Sequence, residues 1–191
     1  MNHSLINIVL SKAKESSLVP SNLLGFVEVE AGGKGFDDLT GKIIIQFEPH
    51  WMKRLAPYAP SGLWSVNKVD VQSKEWIAFN DAFKKNPEAA MKSTSIGLPQ
   101  IMGFHHKRLG FDTVGGMWDF AKDSLENQIE LLITFIKTDK KLLDALNSEN
   151  WDKVASIYNG ASYKEMAKKW GREPYDISLK KANAKYLKYN K

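Results

Sequence analysis

Residues 20–51 read PSNLLGFVEVEAGGKGFDDLTGKIIIQFEPHW. Pro20 and Ser21 are helix-opening residues, and the apolar positions that follow carry a helix over 20–31. Gly32, Gly33 and Gly35 then end it. The run "GKIIIQFEP" (41–49), β-branched and bounded by Gly41 and Pro49, predicts a strand. A helix that dissolves into glycine and re-emerges as a short strand sets the frame for everything around it.

On a helical wheel, Leu23, Leu24, Phe26, Val27 and Val29 define an apolar face. Glu30 falls within about 20° of its centre, whereas Glu28 lies about 140° away. Glu28 thus reads as an ordinary solvent-facing acid. Glu30 points with the core residues, at the negative end of the helix dipole. Desolvation and the dipole both disfavour its charged form, so its pKa is expected to rise. A carboxyl kept protonated near neutral pH is what glycoside cleavage requires, because the leaving oxygen must receive a proton. The glycines have a matching sense. They tolerate positive φ and leave room beside the acid for a bulky ligand.

Outward from this stretch the chain reads as mostly helix. Helices are expected at 4–18, 73–85, 87–93, 104–109, 113–138, 139–147, 150–158, 162–170 and 174–189. The stretch "APYAPSGLWSVNKVD" (56–70) reads as a loop. Ile129, Leu132, Ile133 and Ile136 form one buried stripe, and Trp151, Val154, Ala155 and Tyr158 another. No internal repeat or linker interrupts the pattern. The expectation is a single mostly α domain over residues 1–191 with a small β element.

Composition agrees with a globular protein: of 191 residues, 43% are hydrophobic and 26% charged. No apolar run approaches the ~20 residues of a membrane span, and "MNHSLINIVLSKAKESS" reads as an amphipathic helix, not an export signal. With no cysteine, disulfides and thiol chemistry are excluded. The four histidines, His3, His50, His105 and His106, lack the H-E-x-x-H spacing, so neither metal nor cofactor is expected. A net charge of +5 favours an anionic partner, whether nucleic acid, membrane or bacterial wall polymer. No basic-aromatic motif supports nucleic acid.

Two further stretches carry amide and phenol groups suited to a sugar's hydroxyls. "STSIGLPQIMGF" (93–104) leads to Gln100 and Met102, and "ASIYNG" (155–160) ends on Tyr158 and Asn159 before a glycine. An acid at a helix end, a G-x-x-Q-x-M segment and a Y-N-x-G segment, in that order, resemble the goose-type lysozyme and soluble lytic transglycosylase superfamily. "VEVEAGGKGF…GKIIIQFEPHW", "STSIGLPQIMGFHHKRLGF", "NQIELLITFIK" and "ASIYNG" more closely resemble the N-acetylmuramidase domain of phage and prophage endolysins, over about residues 20–190.

The resemblance implies a lysozyme-like, two-lobed helical fold with a cleft. The substrate would be peptidoglycan, cut between N-acetylmuramic acid and N-acetylglucosamine. Glu30 would be the catalytic acid. Gln100, Met102, Tyr158 and Asn159 would line the site, with Glu48 and His50 carried over from the "FE-x-H" stretch. Many of these endolysins have an aspartate where this chain has Thr40, so Asp37 or Asp38 is the candidate second carboxylate. Ile96 replaces a common tryptophan, and Pro99 departs from the pattern. Two other readings stand beside the hydrolase. A lytic transglycosylase would leave 1,6-anhydro ends and need no second carboxylate. A non-catalytic wall-binding module would use Trp64, Trp76 and Trp118 as sugar platforms. A monomer, made in the host cytoplasm without stable membrane insertion and acting on the wall after release, completes the expectation.

Overall fold

The computed structural model describes residues 1–31, 34–68 and 71–190. The chain divides into two compact units, Met1–Gly33 with Leu132–Lys191, and Lys34–Leu131.

The first unit is helical: α1 (His3–Ser16), α2 (Pro20–Ala31), the second half of α7 (Leu125–Lys137), α8 (Lys140–Asn147), α9 (Trp151–Tyr158), α10 (Tyr163–Lys169) and α11 (Tyr175–Tyr186). Its helix starts follow local chemistry, with the side chains of Asn2, Asp139 and Asn150 accepting from backbone N–H groups three residues on. α2 packs closely on α11. A Cβ added at Gly25 would lie 2.9 Å from the backbone nitrogen of Asn183 and 3.1 Å from its Cα, so only glycine permits this approach. Polar side chains pin the same contact. The buried Asn183 amide donates to Ser21 Oγ (2.9 Å) and Asn22 Oδ1 (2.7 Å), and Asn22 donates to the Leu146 carbonyl. Leu23, Leu24, Phe26 and Val27 are fully buried, as the wheel requires. Glu28 corrects the sequence reading: it is half-buried and committed to Lys185 and the Tyr186 hydroxyl.

The second unit holds a three-stranded antiparallel sheet, β1 (Ile45–Phe47), β2 (Thr94–Ile96) and β3 (Ile101–Met102), in that order. α3 (Pro49–Leu55), α4 (Gln72–Lys85), α5 (Pro87–Lys92), α6 (Val114–Asp123) and the start of α7 surround it. The strand expected over 41–49 pairs in the sheet only at 45–47. Ile43 instead bridges Phe36, and Pro49 opens α3, which the sequence reading missed. β1 is an edge strand, and α4 closes the edge with side chains. The Gln72 amide exchanges two hydrogen bonds with Ile45, at 2.9 and 2.8 Å, and the buried Glu75 accepts from Phe47 N at 2.8 Å.

Three further corrections follow from local capping and pairing. The helix expected over 113–138 breaks at Ser124, which is extended (φ −158°, ψ 164°) and whose hydroxyl accepts from Asn127 N to start α7. The stretch 93–104 is a β2–β3 hairpin, not only a turn, with Gly97 (φ +67°) and Gln100 (φ +48°) bending the connection. Gly103–His105 is a short 3-10 turn in place of a helix over 104–109, and Leu63–Val66 adds another inside the expected loop. Buried Gln128 ties the hairpin to α6 and α7, accepting from Leu98 N (2.7 Å) and donating to the Ala121 carbonyl (3.0 Å).

Candidate functional site

In the first unit, Glu30 stands in the last turn of α2. Part of its surface is open, yet burial of its carboxyl pushes its pKa up to about 8. The Tyr175 hydroxyl, at the first residue of α11, donates to Glu30 Oε1. Pro174 precedes it in extended conformation and fixes where α11 begins. Tyr158 lies parallel to Tyr175, ring centroids 6.5 Å apart, and packs edge-on against Phe26 (4.6 Å) and Phe135 (5.5 Å). Burial, reinforced by the nearby Glu30, holds the Tyr158 phenol well above its ordinary pKa, so it stays neutral. Asn159 caps the end of α9 and is exposed, followed by Gly160 at φ +93°. Glu30, Tyr158 and Asn159 are thereby gathered in one unit, with Tyr175 added by the fold. Of the three linker glycines, Gly32 and Gly33 lie outside the described residues. Gly35 does not use positive φ; it is required because a Cβ there would collide with Gln128 and Leu125.

In the second unit Glu48, His50, Gln100 and Met102 gather at one sheet face. The register Gln46↔Ser95 and Ser95↔Met102 puts these three side chains side by side, while Ile45, Ile96 and Ile101 pair on the opposite, buried face. Glu48 accepts from Gln46 Nε2 at 2.7 Å, and its other oxygen lies 3.3 Å from His50 Nδ1. Glu48, at the junction of β1 and α3, therefore faces one partner on each, Gln46 and His50. The Gln100 amide is fixed at both ends, accepting from Ser95 Oγ (3.0 Å) and donating to the Gly97 carbonyl (2.7 Å). Glu48, His50, Gln100 and Met102 thus belong to one polar patch, completed by Gln46 and Ser95. The sequence reading singled out neither Gln46 nor Ser95: period-two alternation from Glu48 is a signal that could have found Gln46, whereas Ser95 emerges only from strand pairing.

Asp37 and Asp38 sit in the turn between Phe36 and Ile43. Asp37 Oδ1 accepts from Thr40 N (2.9 Å) and Thr40 Oγ1 (2.8 Å), bonds that lower its pKa and keep it ionised. Asp38 pairs with Lys34 on the exposed surface. Trp64 and Trp118 are buried in the core, while Trp76 is half-buried and packs edge-on against Trp118. Among the described residues no group of three or more His, Asp or Glu side chains gathers as a metal site, and no helix is long and apolar enough to cross a membrane.

Residues 19–187 match a family model described as Muramidase: N-acetylmuramidase. The crystal structure of the Burkholderia AP3 phage endolysin is similar, with a TM-score of 0.81 and 30% sequence identity; the match covers 96% of this chain and 70% of that one. No curated protein matches the sequence.

Proposed function

The chain belongs to the N-acetylmuramidase family and is a peptidoglycan-hydrolysing muramidase of the endolysin type; from that premise we propose that Glu30 is its general acid. Glu30 would deliver its proton to the glycosidic oxygen between N-acetylmuramic acid and N-acetylglucosamine as that bond breaks. One observation carries the assignment: a carboxyl protonated up to about pH 8 and oriented by the Tyr175 hydroxyl. An acid with an ordinary pKa would hold almost no proton to give at neutral pH.

Asp37 or Asp38 is proposed to supply the second carboxylate, orienting water or stabilising positive charge on the sugar. The Thr40 bonds that keep Asp37 ionised support it in that role. Gln100, Met102, Glu48 and His50, gathered at the sheet face, with Tyr158 and Asn159, are proposed to contact the glycan. The family match runs through both units, which supports reading them as one catalytic domain. Synthesis in the host cytoplasm, release to the wall with help from a separate membrane-permeabilising protein, and a monomeric state without nucleic-acid binding complete the proposal.

The test is to digest purified peptidoglycan and identify the soluble fragments by mass spectrometry. Reducing N-acetylmuramic acid ends are expected. Anhydro ends would make the enzyme a transglycosylase that lets the muramic acid hydroxyl attack.

A further inference from the structure

A pocket of about 360 Å³ opens in the first unit between the end of α2, α10 and the start of α11. That volume lies within the range of small-ligand sites, ~300–1,000 Å³. Val29 and Tyr175 form its inner wall, so the pocket adjoins Glu30 through a sequence neighbour and through the tyrosine bonded to its carboxyl. Asn159 borders it as well. The outer wall is Met166, Trp170 and Arg172.

Two features of that outer wall call for a ligand. Trp170 is 55% exposed and lines the pocket with Met166, so an apolar surface is open to a ligand there. The Arg172 guanidinium lies 5.4 Å from the Trp170 ring centroid and has no carboxylate partner among the described residues. Two nearby acids are held by other groups. Glu173 is bound by Lys181 and the Ser178 hydroxyl, and Asp152 by the Tyr163 hydroxyl and Lys164. The pocket therefore presents apolar surface, the Glu173 carboxylate already held by Lys181 and Ser178, and one cation, Arg172, of the kind that grips carboxylates in two-pronged fashion.

We propose that this pocket takes the peptide stem carried by muramic acid, with Arg172 pairing with a stem carboxylate and Trp170 packing against the stem's apolar atoms. The chemistry selects the stem over the sugar. In the intact wall the lactyl carboxyl of muramic acid is consumed in an amide bond, so the glycan itself is neutral. Free carboxylates belong to the peptide. The proposal rests on the reading of Glu30 as the cutting acid, because the pocket's value is its position beside that residue. It makes the enzyme selective for peptide-bearing over bare glycan.

The experiment compares kcat/KM for wild type, Arg172→Gln and Arg172→Lys on two polymers: peptide-bearing peptidoglycan, and the same glycan freed of its peptides by an amidase. Arg172→Gln is expected to lose roughly tenfold more on the peptide-bearing polymer than on the stripped one, the order of one charge-assisted hydrogen bond. Arg172→Lys is expected to recover only part of the loss. Equal rates for wild type and Arg172→Gln on the peptide-bearing polymer overturn the proposal. So does an equal loss on both polymers, which would assign Arg172 to general attraction, and so does a larger loss on the stripped polymer, which would assign it to the lactyl carboxylate that the amidase frees. Should the wild type release no reducing ends from either polymer, the hydrolase assignment fails. Co-sedimentation of the same proteins with the same polymers then decides the pocket on its own, with the same ratio expected in binding.

Discussion

The hydroxyl of Tyr175, at the start of α11, donates a hydrogen bond to the carboxyl of Glu30, at the end of α2. Residues 145 positions apart are joined there because α2 and α11 pack at glycine distance through Gly25. The acid's environment is thus a product of helix packing, and its consequences are measurable.

Glu30 costs stability at neutral pH. Its folded-state pKa of about 8 exceeds its ordinary value of 4.5, so the folded state keeps a proton that the unfolded chain releases. The contribution is fully present below pH 4.5 and is lost as pH rises through about 8. Glu30→Gln, which mimics the protonated acid, should raise unfolding free energy by up to about 3 kcal/mol at pH 7 and leave it unchanged at pH 4. Denaturant titrations at the two pH values check this.

Activity should fall on the alkaline side with a midpoint near pH 8, where Glu30 loses its proton. The Tyr175 hydroxyl favours the ionised acid more than the neutral one. Tyr175→Phe should therefore move that midpoint upward by roughly 0.5–1 unit while lowering kcat, because the carboxyl loses its orienting bond. A pH profile of kcat/KM for both proteins reads the shift.

Gly25→Ala should destabilise the protein by about 1–3 kcal/mol, since its methyl meets the backbone of α11 and not a side chain that can swing away. The same substitution should reduce activity in folded protein by displacing Tyr175 from Glu30. Thermal unfolding and turnover of the variant separate the two effects.

Gln128→Ala should cost about 2–4 kcal/mol, leaving the Leu98 N–H and the Ala121 carbonyl buried without a partner. Because that bond also holds the connection before Gln100, a loss of activity is expected alongside. Chemical denaturation measures the first and peptidoglycan digestion the second.

The helix of Glu30 was legible because its apolar positions repeat at helical spacing and its acid interrupts the apolar face. Most helices were legible for the same reason. The hairpin of Thr94–Ile96 and Ile101–Met102 was not: two strands of three and two residues are too short for alternation to register, and pairing defines them. Ser124 hid the break between α6 and α7, because apolar spacing runs on across it while one hydroxyl cap ends it. Tyr175 had no local signal either. Its role exists only because Pro174 sets the start of α11 and Gly25 lets that helix approach α2. Glu28 was misread since a wheel drawn for one helix does not show that Lys185 and Tyr186 come to meet it.

The most direct test of Glu30 as proton donor is kcat/KM for wild type and Glu30→Gln on purified peptidoglycan at pH 6, with unfolding curves confirming that both are folded. A loss of about 10²–10⁴-fold is expected, the usual contribution of a positioned general acid. Equal activity in the two proteins would contradict the account and require the proton to come from another group.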